Sequence, residues 1–139
     1  MNRTILFFLL ILMSSSCGSA IKDNIYGNYF LVASDIGEDL SLTYHDPTDG
    51  SNYGTIVGAT VFAAGHTDKY IVVKQHPRAF PNQPDKTITN YFILPMKKGF
   101  NWKDKNGLIG PLTLEQYGQN SKQLQLGKIV FHIVYRDLQ

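Results

Sequence analysis

Four histidines, one cysteine and eleven acidic residues set the chemistry open to this chain. His45, His66, His76 and His132 include no H-x-x-x-H pair, and no cysteine follows position 17 to share a metal with them. A small metal-dependent hydrolase would therefore have to bring His45, His66 or His76 together with Asp46 or Asp49 through the fold. Asp46, Asp49 and Asn52 surround Gly50, but the D-x-[DN]-x-[DN]-G register with its closing Glu is absent, which excludes an EF-hand. Asp35, Glu38 and Asp39 crowd one turn, whereas the paired acids of a glycoside hydrolase converge on a cleft from separate elements. There is no G-x-S-x-G elbow, P-loop or G-x-G-x-x-G. The sequence thus assigns no catalytic residue, no cofactor and no metal ligand.

The stretch best suited to contacting another molecule is Lys97 to Lys105. Phe100, Trp102 and Lys103 set aromatic faces beside cations, a combination that stacks on sugars or meets a partner protein or lipid headgroups. Against this stands the ordinary alternative, in which Trp102 folds back on the core and the lysines are solvated. His66, in a tight turn, and His76, at the head of a proline-rich loop, are further candidate contacts.

These residues need a scaffold, and the apolar pattern supplies one. Tyr70-Ile71-Val72-Val73 is an uninterrupted apolar run, as expected of a central strand covered on both faces. It should pair with Thr60–Ala64 on one side, through a turn at Gly65–Lys69, and with Tyr91–Leu94 on the other. Asn28–Ser34 and Leu40–Tyr44 read as a hairpin around Gly37, and Thr55–Gly58 lengthens a third strand with Gly58 marking a bulge or close approach. Pro77, Pro81 and Pro84 mark a loop. Thr113 and Gln116 form a T-x-x-Q capping box, with Leu112 and Tyr117 at the staple positions. Leu114, Tyr117, Ser121 and Leu124 would share the buried face of the helix, and Gly127 would stop it. Lys128–Tyr135 alternates as a last strand. The expected fold is α+β: a mostly antiparallel sheet of five to six strands with one C-terminal amphipathic helix packed on it.

Length and charge agree with one domain of ordinary globular composition. The chain has 139 residues, 43% of them hydrophobic. A net charge of +2, or +1 once Arg3 leaves with the leader, gives no field for nucleic acid. The leader is legible in the first 17 residues. Arg3 precedes the apolar run Ile5–Met13, which at about 1.5 Å per residue covers only about half of a bilayer core, so it is a signal peptide and not a resident span. Ser15, Ser16, Cys17 and Gly18 then resemble a lipobox, although Ser14 stands where Leu, Val or Ile is usual. Cys17 is the expected lipidation site, carrying several acyl chains and anchoring the protein to the membrane of the cell envelope. Ser19 carries no retention signal, which favours the outer membrane in a cell that has one. Residues 18–27 would form a tether and residues 28–139 one globular domain.

The spacing of Lys69–Lys74, Asn90–Leu94 and Gly110-Pro111-Leu112-Thr113, with Tyr117 and Leu124 downstream, resembles a family of small bacterial lipoproteins catalogued only as a domain of unknown function. The likeness spans roughly Tyr29 to Leu126, with Tyr117 where the family usually has Phe. It implies the fold and an envelope setting, and it carries no catalytic or ligand residue across. The function expected is that of a lipid-anchored binding or structural module without catalysis, partnered by an envelope protein or a glycan and not by nucleic acid. The alternatives are the small metal-dependent hydrolase above, or an inhibitor or immunity-type lipoprotein.

Overall fold

A computed structural model describes residues 20–50, 52–98 and 100–139, so the leader and Cys17 lie outside the described residues. Among the described residues, nine strands form two antiparallel sheets. The first sheet runs in order β1 (Ile21–Tyr26), β2 (Tyr29–Ala33), β3 (Ser41–His45) and β4 (Tyr53–Val57). The second comprises β5 (Val61–His66), β6 (Tyr70–Gln75), β7 (Asn90–Pro95), β8 (Ile109–Leu112) and β9 (Phe131–Val134), in the order β8-β7-β6-β5-β9. One helix, α1 (Leu114–Gln123), joins β8 to β9 through a loop.

The expected sheet with a helix on it is the second of these; the first is a correction. Leu31, Ala33, Leu42 and Ile56 give the first sheet one apolar face, and an apolar face must be covered. Ile71, Val73, Phe92 and Leu94 of the second sheet cover it, in a single core. The sheets part at Gly58–Thr60, where the sequence suggested only a bulge or close approach. Gln75 Nε2 holds this crossover by donating to the carbonyls of Gly58 at 2.9 Å and Ala59 at 3.1 Å. Residues 21–26, expected within the tether, form β1. Only Ile21 and Ile25 are aliphatic there, Tyr26 is exposed, and Lys22 and Asp23 give the strand the polar content of a sheet edge, so it resembles a linker by composition.

β6 lies at the centre of its sheet, paired with β5 and β7 as expected, and Ile71, Val72 and Val73 are fully buried. Val72 and Tyr70 face α1, where they meet Tyr117, Leu124 and Leu126. The capping box forms: Gln116 N–H donates to Thr113 Oγ1 at 3.2 Å and Thr113 N–H to Gln116 Oε1 at 2.9 Å. Leu114, expected on the buried face, is exposed. The helix also stops short of Gly127. Gln125 adopts φ 52°, its N–H reaches the Lys122 carbonyl at 3.2 Å, and Leu126 N–H reaches that of Ser121 at 3.0 Å. This Schellman turn drives Leu126 down onto Val72 and Ile93, and that burial fixes the stop.

Strand direction separates the loops into two ends. The described residues of the turns and loops 27–28, 46–52, 67–69 and 96–108 gather at one end. The chain's entry at Ile21, the loops 34–40, 58–60 and 76–89, and the C-terminal residues occupy the other.

Candidate functional site

The first end carries two adjoining clefts. One, of about 660 Å³, is lined by Tyr44, Asp46, Asp49, Asn101, Trp102 and Lys103 among others. Its neighbour, of about 400 Å³, is bounded by Tyr26, Tyr29, Met96, Lys97 and Lys98, and Tyr44 belongs to both. The wall between them is aromatic: ring centres lie 5.0 Å apart for Tyr29–Tyr44, 5.7 Å for Tyr29–Phe100 and 5.3 Å for Tyr44–Phe100. Phe100 is buried and plugs the end of the core, so it supports the cleft more than it faces it.

Trp102 is half-buried and lies flat against the backbone of Gly54 in β4. Any Cβ at position 54 would fall inside the indole, so only glycine admits the ring here. Lys103 Nζ stands 5.7 Å from the Trp102 ring centre. Trp102 packs on the core, and it also lines the cleft. Gly54 escaped the sequence reading because a glycine among loop residues signals a turn, and its real role depends on a residue 48 positions away.

The polar side of the cleft is ordered by its own turns. Asp46 Oδ1 accepts from Thr48 N–H at 2.8 Å and Thr48 Oγ1 at 2.7 Å. Those bonds, the hydroxyl's first, hold its carboxyl below the usual carboxylate range. Asn101 Oδ1 accepts from Lys103 N–H at 3.0 Å, and its Nδ2 donates to Asp104 at 2.8 Å. Tyr29 shows the opposite behaviour. It is only 5% exposed, and its hydroxyl makes no hydrogen bond of ordinary geometry, although the Lys97 backbone lies nearby. Burial, reinforced by Tyr44, pushes its pKa up to about 12.

The structure brings together Phe100, Trp102 and Lys103 and separates His45, His66 and His76 from one another. His66 is at the same end, between Tyr26 at 4.7 Å and His132 at 5.1 Å, with Nδ1 donating to the Thr67 carbonyl at 2.9 Å. His45 packs against Tyr53 at 5.0 Å. His76 is a buried core residue at the opposite end, stacked on Phe62 at 4.2 Å and bonded to the Ile88 carbonyl at 2.7 Å. Among the described residues, no three His, Cys, Asp or Glu side chains are placed to share a metal ion. The turn acids are likewise at the far end, where Asp39 pairs with Arg78.

Residues 26–136 match the family described as "Protein of unknown function (DUF3997)", and the chain belongs to that family. The match is wider than the span over which the packing motifs carry the resemblance. No curated protein and no solved structure matches the chain.

Proposed function

We propose that this member of the family is an exported protein, held in the cell envelope by lipid on Cys17, whose cleft end binds an envelope glycan without transforming it. One observation carries the binding reading: the aromatic residues Tyr44 and Trp102 line an open cleft together with Asp46, Asp49, Asn101 and Lys103. Ring faces suit the apolar C–H face of a sugar, and carboxylates, an amide and an ammonium suit its hydroxyls. A volume of about 660 Å³ lies within the range of sites that take small ligands. Within this cleft two carboxylates stand against one lysine, and with Lys97 and Lys98 of the adjoining cleft the charges are near balance, which favours a neutral saccharide over a phosphorylated or nucleic-acid ligand.

The state of Asp46 supports binding over hydrolysis. A glycosidase acid needs a carboxyl whose pKa is raised, and the Thr48 bonds push that of Asp46 the other way. It acts as a fixed hydrogen-bond acceptor. Calorimetric titration with soluble, uncharged oligosaccharides of N-acetylated amino sugars tests this. Saturable binding is expected, weakened at least tenfold in Trp102→Ala and in Asp46→Ala, with the oligosaccharide recovered intact. Binding indifferent to both substitutions, or cleavage of the sugar, would reject the proposal.

A further inference from the structure

The end opposite the cleft is apolar in a way its own core does not require. Seven large hydrophobic residues stand exposed among the described ones, and four of them collect here. Phe80 is 86% exposed, Leu114 67%, and Ile36 and Ile88 46% each. Leu114 belongs to this end because Leu112 pairs with Tyr91 near the start of β7. The loops that carry the others are pinned. Arg78 pairs with Asp39, and Lys86 Nζ donates to the carbonyls of Asp137 at 2.9 Å and Gln139 at 3.1 Å. Phe80 is thus displayed on a held loop.

The chain enters at this same end. A Cβ on Gly37 would touch both Ile21 and Leu138 at 3.9 Å, so β1 begins beside the β2–β3 loop and the C-terminal residues. Only Gly18, Ser19 and Ala20 separate Cys17 from Ile21, a reach of about 14 Å at full extension. A lipid on Cys17 would hold this end at the bilayer surface, at an effective concentration that lets weak apolar contacts engage.

We infer that the end bearing Ile36, Phe80, Ile88 and Leu114 faces the bilayer, with Phe80 entering the interface, and that the cleft end points away from it. The inference rests on the lipid-anchor reading proposed above. The contact is apolar and not electrostatic. Asp35, Glu38, Asp39, Asp85 and Asp137 outnumber Arg78, Lys86 and Arg136 here, so anionic lipid gives no attraction.

The test uses lipidated full-length protein in phosphatidylcholine vesicles, with a nitroxide at Phe80→Cys or at Lys103→Cys. Cys17 is the chain's only cysteine and its sulfur is taken up by the lipid, so each variant offers one thiol. The label at 80 should be at least fivefold less accessible to an aqueous nickel complex than the label at 103, while staying accessible to oxygen. Equal nickel access at both positions overturns the orientation. A label at 80 shielded from nickel and oxygen alike, with spin–spin broadening, means a second copy covers the patch and also overturns it. Mass measurement of the same samples separates the two ideas: an unlipidated Cys17 sinks the anchoring reading and this inference with it, whereas aqueous labels on lipidated protein sink the orientation alone.

Discussion

Trp102 can line the cleft only because position 54 has no side chain. Gly54→Ala should push the indole off β4, cost about 1–3 kcal/mol by overpacking, and shift Trp102 emission to the red; chemical denaturation and fluorescence check both. Tyr29 yields a prediction in pH. Its folded pKa, about 12, lies above the unfolded value of about 10, so the native state holds the proton more tightly. The stability this contributes is intact below pH about 10 and is lost as pH rises towards 12. Tyr135, raised by burial and by Asp23, and Tyr117, raised by burial, act in the same direction. Tyr29→Phe removes a buried hydroxyl that has no partner of ordinary geometry among the described residues. It should leave stability at pH 7 unchanged or raise it by up to about 1 kcal/mol, and flatten the alkaline loss; urea melts across this range measure it. The sequence could single out Phe100, Trp102 and Lys103 because aromatic–cation runs are local. Gly54 and Tyr29 owe their importance to contacts far along the chain, which no local pattern records.

At the scale of elements, α1 shows what local chemistry can and cannot announce. Thr113, Gln116, Leu112 and Tyr117 stand within one turn of each other, so the start of the helix was readable from spacing alone. Thr113→Ala should cost about 1 kcal/mol. The helix end was not readable. Gln125 occupies a left-handed position that glycine favours, because Leu126 gains burial against Val72 and Ile93. Gln125→Gly should therefore stabilise by about 1 kcal/mol, measured by thermal or urea unfolding. β1 illustrates the reverse failure. It carries two aliphatic residues only, and pairing with β2 supplies what its composition lacks.

For the whole molecule, the sequence conveyed four of the five strands of the second sheet, missing β8, and left the second layer hidden. Alternation in Leu40–Tyr44 shows that one face is buried, but not against what; the covering sheet is a long-range fact, set where Gly58–Thr60 crosses over. That crossover also creates the two ends on which the functional account depends. One displays Tyr44 and Trp102 beside fixed polar groups, and the other displays Phe80 beside the entry of the chain. Trp102 is the only tryptophan, so its emission reports on the cleft without any label. The most direct measurement is quenching of Trp102 in lipidated protein on vesicles, by acrylamide in the water and by brominated lipid in the bilayer, with and without amino-sugar oligosaccharide. The account predicts acrylamide quenching that falls as saccharide saturates the cleft, and no quenching by brominated lipid. Acrylamide quenching unchanged at every saccharide concentration, or strong quenching by brominated lipid, would contradict it.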